Sequence, residues 1–318
     1  MKKTFALLLI ALWSSVAHAG PVLDQVKKQG FISCGATQRP GVAYQDANGH
    51  WTGIAVDICR SVAVALLGSP DKVIFSYYEM PNQFARVAAG KDQLFFLSGT
   101  EIQLNDLTGK VLFGPTIFYE THRVMVPVDS YAQNLADLAG VPICMPAGSR
   151  AERSLSSYFE RHHLDLSPRP YTEDDEMLDA YGAKRCGAVA DEATKLAQDL
   201  VSDKHSRLLP ESTAVFPIMA GTSTRDAQWA AIVAWTIDTL IAGERPETLW
   251  YAGGAGAMPV KAMELGLDTH WQARVLKTIG HYGAIYDRYL GKESGLNLAR
   301  GPNDNQTNGG LLLTPFLE

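Results

Sequence analysis

The chain has 318 residues, 46% hydrophobic and 19% charged, the composition of an ordinary globular protein long enough for two domains with separate cores. A formal net charge of −6, with no basic run or aromatic-interleaved basic patch, argues against nucleic acid or an anionic membrane surface as the main partner. No hydrolase elbow, H-E-x-x-H helix, phosphate loop or dinucleotide fingerprint occurs in the sequence, so no cofactor and no bound metal are expected from motifs.

In chain order, Lys2 and Lys3 precede an apolar stretch, Phe5–Trp13, and a small-residue site, Ala17-His18-Ala19. That layout predicts a signal peptide cleaved after Ala19 and an exported protein. The apolar run is too short for a bilayer, which takes ~20 residues, and no cysteine follows the cleavage site for lipid anchoring. Four cysteines in an exported chain predict disulfides, and four allow three pairings among which the spacing does not choose. Metal ligation competes weakly, because no C-x-x-C spacing exists.

Strand-like and helical runs then alternate, the βαβ signature of a mainly parallel sheet. Phe31–Ala36 reads as a strand, Val56–Leu67 as strand end and helix, Val73–Tyr78 as a strand, Gln83–Ala89 as a helix and Leu94–Leu97 as a strand. Val124-Met125-Val126-Pro127 reads as a strand crossing into a second unit. There Val141–Met145 is a strand and Pro146–Ser149 a turn. Ala151–Phe159 is a helix with Leu155, Tyr158 and Phe159 on one face, followed by the helix Glu176–Tyr181 and the strand Cys186–Ala190. After Val215–Ala220 the chain crosses back into a long helix, Asp226–Ile241. Its Trp229, Ile232, Val233, Ile237 and Leu240 fall at helical spacing and predict core packing. Arg245–Met258, rich in Gly and Pro, reads as an exposed loop. His162-His163, in a polar helix-end stretch, reads as solvated surface.

The segment Asn48–Gly68 (N-G-H-W-T-G-I-A-V-D-I-C-R-S-V-A-V-A-L-L-G) resembles the second strand and first helix of the periplasmic solute-binding proteins, family 3, that feed polar and general L-amino acids to ABC importers. The tail agrees in Leu298-Ala299-Arg300-Gly301 and Gly309-Gly310-Leu311 before Pro315, so the resemblance runs from about Gly30 to the C-terminus. It implies an α/β fold of two lobes (type II), each a mainly parallel sheet flanked by helices, joined by a two-strand hinge. After the signal peptide, 1–19, the first lobe would comprise 20–125 and 222–318 and the second 126–221. It also pairs Cys34 with Cys59 in one lobe and Cys144 with Cys186 in the other. Each bridge would stabilise its lobe by about 3–4 kcal/mol, and neither would cross the cleft.

The family's carboxylate-binding motif, N-T-T-x-T-x-x-R, falls on Ser98-Gly99-Thr100-Glu101-Ile102-Gln103-Leu104-Asn105. Only Thr100 keeps its type; Asn105 stands where the arginine fork would be and Ile102 where a threonine would be, losing a charge-assisted pair. No arginine lies between Arg86 and Arg123 to compensate. In the G-x-D-V-D run, Gly53-Ile54-Ala55-Val56-Asp57, the first acid is lost. The stacking aromatic falls at Val42, with Tyr44 as a substitute. The second lobe keeps Gly148 and Ser149 at a helix-opening turn, where Arg150 follows and is a candidate replacement cation. Glu192, beside Asp191, matches the ammonium-binding aspartate. The candidate ligand-binding set is therefore Tyr44, Ser98, Thr100, Asn105, Ser149, Arg150, Asp191 and Glu192.

The resemblance implies a non-catalytic receptor, acting as a periplasmic monomer, for an amino acid or related small polar or amine ligand, with an ABC permease as membrane partner. The eroded motif keeps open a second reading, a homologue without ligand that serves an exported oxidoreductase or a sensor kinase. A third, enzymatic, reading would need Glu101 or Glu192 as an acid in the cleft.

Overall fold

The computed structural model describes residues 20–77, 82–98, 109–245 and 265–314. The signal segment, Thr100, Glu101, Ile102, Asn105 and most of Arg245–Met258 lie outside the described residues.

The described chain opens with α1 (Pro21–Gln29), β1 (Ile32–Ala36), the hairpin β2 (Tyr44–Gln45) and β3 (Trp51–Thr52), α2 (Ile54–Leu67), β4 (Val73–Tyr77), α3 (Asn82–Ala88) and β5 (Leu94–Ser98). A 17-residue strand, β6 (Val111–Pro127), leads to β7 (Pro142–Pro146), α4 (Arg150–Arg161), β8 (Ser167–Tyr171), α5 (Asp174–Gly182), β9 (Ala188–Glu192), α6 (Ala193–Ser202) and β10 (Ser206–Leu208). The return is β11 (Ala214–Ser223), followed by α7 (Ala227–Ala242), α8 (Trp271–Thr278) and α9 (Tyr282–Tyr289).

One sheet runs β4-β1-β5-β11-β6-β9-β7-β8, with β10 also on β6. The β4, β1 and β5 strands are parallel, as are β9, β7 and β8, while β11 and β6 run antiparallel between the two sets. This gives two parallel units joined by two crossing strands, the two-lobe architecture that the resemblance implies. All five β1 positions are buried, as a parallel strand covered on both faces requires. At the sheet edge, β8 carries Pro168 and Pro170 without cost to a ladder, because an edge strand has one side free.

Two expectations need correction. The helix α2 begins at Ile54, so Val56–Leu67 contains no strand end; Gly53 (φ 125°) turns the chain where any side chain would collide with the Val42 carbonyl. The crossing strand is Val111–Pro127, far longer than Val124–Pro127. Its middle carries Thr116, Glu120, Thr121 and His122, which break the apolar run.

Around the first unit, one cluster gathers β1, α2 and the stripe of α7. Trp229, Ile232, Val233, Ile237 and Leu240 are all buried, and Trp229 Nε1 donates to the Gln93 carbonyl at 2.8 Å. In the second unit Val124, Val126, Ile143, Leu155 and Phe159 fill one sheet face, and Met125, Met177 and Leu196 the other. Disulfides join Cys34 to Cys59 and Cys144 to Cys186, each within its own unit. The C-terminal segment packs on the first cluster through Leu298 and Leu312. It is fixed there by buried Asp57, which accepts from Arg288 (2.5 Å) and Tyr289 (2.9 Å).

Candidate functional site

The two units meet at a polar cluster built around Arg39. This residue follows β1 in a tight Pro40-Gly41 turn, closed by Arg39 N–H to Ala43 O (2.7 Å) and Ala43 N–H to Arg39 O (3.0 Å). Its Nη1 donates to Glu120 Oε2 at 3.0 Å and, more closely still, to Glu192 Oε2. Glu120 sits on β6 and Glu192 at the end of β9. One guanidinium from the first unit thus joins a carboxylate on the crossing strand to one in the second unit.

Glu120 is buried, and its carboxylate also accepts from Thr194 Oγ1 (2.6 Å) and the Thr121 N–H (3.0 Å). Burial pushes its carboxyl above the ordinary range; Arg39 opposes this and the Glu192 charge adds to it. For Arg39, burial works against the charge, but the two carboxylates outweigh it and raise its pKa.

His122, opposite Glu192 on the β6–β9 ladder, is buried with its ring 4.6 Å from that of Phe216. Its Nδ1 is 2.8 Å from Ser154 Oγ, which in turn lies 2.9 Å from Thr213 Oγ1. Burial, with Arg150 and Arg39 adding to it against Glu192, lowers its pKa to about 4, so the ring is neutral at physiological pH. Arg150, the first residue of α4, lays its guanidinium over the same Phe216 ring at 5.5 Å.

The remaining sequence-derived residues fall in different places. Ser149 caps α4, its hydroxyl accepting the Glu152 N–H at 3.0 Å. Of the adjacent acids, Glu192 meets Arg39. Asp191 turns to the other face, 3.6 Å from Lys195 Nζ, and accepts the Glu192 N–H at 2.7 Å. Burial pushes the Asp191 carboxyl up to about 6. Tyr44 is half-buried in the β2–β3 hairpin opposite Thr52. Ser98 ends β5 opposite Ile218. Thr100 and Asn105 lie outside the described residues.

Sequence reasoning missed Arg39, Glu120 and His122. The available signal for Arg39 was its place directly before the Pro-Gly turn that ends the first strand, where a side chain enters the crevice at the carboxyl end of the sheet. Chemically, the cluster offers one cation and two acids, at a junction whose local hydroxyls belong to Thr194, Ser154 and Thr213. That set matches a zwitterion in which carboxylate and ammonium sit close together. Among the described residues no group of three or more His, Cys, Asp or Glu side chains could hold a metal ion.

No family profile matches the chain. It is 29% identical to the general L-amino acid-binding periplasmic protein AapJ of Rhizobium johnstonii, over 96% of this chain and 95% of the relative. It is 28% identical to the putative amino-acid ABC transporter-binding protein YhdW of Escherichia coli O157:H7, over 94% and 93%. Among solved structures, an ABC transporter periplasmic binding protein from Brucella ovis with glutathione bound superposes with a TM-score of 0.76 at 27% identity, covering 95% of this chain and all of that one. With near-complete coverage in sequence and fold, and with the two crossing strands, this chain is similar over its whole length to periplasmic solute-binding proteins of the amino-acid ABC-transporter type (family 3).

Proposed function

We propose that this protein is the receptor of an ABC importer, exported by cleavage after Ala19, and that it takes an amino acid or related small polar ligand between its lobes without chemistry. The first lobe is taken as 20–125 plus 222–318, the second as 126–221, and closure about β6 and β11 captures the ligand. The observation that supports this reading is the Arg39–Glu192 contact: opposite charges from the two lobes meet where a ligand's own charges would be read. A zwitterion inserted there gives its carboxylate to Arg39 and its ammonium to Glu192, with Glu120 as the buried second acid. Arg39 then supplies the cation that Asn105 lacks. Arg150, over Phe216, Ser149 at the helix cap, and Tyr44 shape the rim, and Ser98, Thr100 and Asn105 are taken as first-lobe ligand contacts on the resemblance alone. Asp191 supports Glu192 from behind. The permease of the importer is the membrane partner, and the receptor works as a monomer.

A thermal-shift and calorimetric panel on the mature, oxidised protein tests this. It should span amino acids, glutathione (bound by the Brucella relative), polyamines, betaines and organic acids. Saturable binding is expected for compounds that carry a carboxylate beside an ammonium. At 100 times the dissociation constant such a ligand adds about 2.7 kcal/mol of stability, and Arg39→Ala should abolish the response. A flat response across the panel overturns the transport reading and favours an accessory role with a protein partner.

A further inference from the structure

A cavity of about 400 Å³, lined by none of Arg39, Glu120, His122 or Glu192, lies between the second lobe and the C-terminal segment. Its walls include Arg123 of β6, Lys204 and Arg207 from the α6–β10 region, and Asn297 and Leu298 of the tail. We propose that this cavity is a binding site for a small oxyanion such as sulfate, phosphate or a carboxylate.

The central residue is Arg123. Its Nε is fully buried and has no hydrogen-bond partner, and no ion pair satisfies its guanidinium among the described residues. Arg123 is half-buried, and an arginine drawn out of water is ordinarily held by a carboxylate, because losing solvation around its charge is costly unless a counter-charge replaces it. The cross-strand neighbour, Asp191, is engaged elsewhere, with Lys195 and the Glu192 N–H. Burial accordingly lowers the Arg123 pKa, with Tyr286 and Glu120 only partly offsetting it.

The other two cations, exposed Lys204 and half-buried Arg207, likewise have no ion-pair partner among the described residues. Arg207 donates Nη2 to the carbonyls of Ser130 (3.3 Å) and Ala132 (2.6 Å), and Lys204 donates Nζ to the Leu200 carbonyl (3.0 Å). These acceptors are neutral, so hydrogen bonds fix the side chains without cancelling their charge. Asp203 is the one acid on the wall, and its Oδ1 is held by the His205 N–H at 2.8 Å. Arg123 and Lys204 therefore share with one carboxylate the wall of a space that a tetrahedral oxyanion fits, while the Arg207 guanidinium is held at Ser130 and Ala132 on the other face of the sheet. An arginine fork and an ammonium are donors that such an anion takes. Because the walls belong to the second lobe and to the tail packed on the first, a bound anion would also link the two.

The test is isothermal calorimetry and thermal melting with sodium sulfate, phosphate and acetate, at constant ionic strength maintained by chloride. Saturable binding is expected for the wild type, with melting raised by about 3 °C at tenfold the dissociation constant. The acetate arm distinguishes a carboxylate site from one for tetrahedral ions. Arg123→Met should lose the saturable response and melt no lower than wild type in chloride, since it removes an uncompensated charge. Lys204→Gln, at an exposed position where folding is not at stake, should weaken binding about tenfold, the worth of one rim cation. Arg39→Ala should keep the anion response, which separates this site from the cleft. Absence of saturable binding in the wild type overturns the proposal, as does an unchanged response in Arg123→Met or Lys204→Gln.

Discussion

The side-chain amide of Asn303 pairs with both backbone groups of Tyr119: Nδ2 donates to the Tyr119 carbonyl at 2.9 Å, and Oδ1 accepts its N–H at 2.6 Å. Tyr119 lies on β6 opposite Pro217 of β11, a residue with no N–H to offer a ladder. The Tyr119 groups face away from β11, at a point where β9 has already ended at its His122–Glu192 pair. Asn303 thus completes the edge of a crossing strand, as another strand would.

Replacing it strands two polar groups near the hinge. Asn303→Ala is expected to lower stability by about 1–3 kcal/mol, the cost of leaving buried backbone groups unpaired. Urea unfolding measures this, and a loss below the resolution of that assay would show that water satisfies Tyr119 equally well.

The Arg39 contact makes a sharper claim, because its parts come from both lobes. Arg39→Ala leaves Glu120 and Glu192 facing each other without a cation and should destabilise by about 3 kcal/mol, the usual result of breaking a buried pair. Glu192→Gln should cost less, because Glu120 still holds the guanidinium. In a double-mutant cycle the two substitutions should couple by about 1–3 kcal/mol. Additive effects would mean that the lobes do not meet through these residues in solution.

How far the sequence reached follows from what each signal depends on. The helix stripes of α4 and α7 and the buried run of β1 were legible because their apolar spacing matches their burial. The cysteine pairing was legible only through resemblance, since spacing leaves three pairings open. The full length of β6 was not, because a crossing strand is polar where it borders the cleft, and polarity there looks like a loop. Arg39 and Glu120 were missed for a related reason. They are 81 residues apart and act only as neighbours, and nothing local distinguishes either from a surface charge. Glu192 was reached through the motif, but its preference over Asp191 became visible only from the alternation of β9, which sends the two side chains to opposite faces.

Acid should weaken the fold through His122. Its folded-state pKa of about 4 lies below the ordinary 6.5, so between those values the unfolded chain takes up a proton that the folded chain refuses. Stability from this group is intact above pH 6.5 and falls as pH drops towards 4, by roughly 3 kcal/mol if the shift is fully expressed. Raised aspartates contribute in the opposite direction, so the informative quantity is the difference between wild type and His122→Gln. On acidification across this window wild type should lose stability relative to His122→Gln in parallel urea titrations. A constant difference would place the ring in contact with water.

Asp238 supplies the opposing case. It lies on α7, 8% exposed, and burial alone pushes its carboxyl up to about 6 from 3.8. A raised carboxyl pKa means that the folded state holds its proton more tightly than the unfolded one. Its contribution is therefore most favourable below pH 3.8 and is lost as pH rises through 6. At pH 8 the ionised carboxylate is a cost with no charged partner among the described residues to offset it. Asp238→Asn keeps the shape and removes the charge, so it should stabilise the protein by about 2 kcal/mol at pH 8 and by little near pH 4. Urea midpoints at the two pH values decide this: equal effects at both would show that the amide is being judged on packing, and a loss at pH 8 would show that the carboxylate has a partner when ionised.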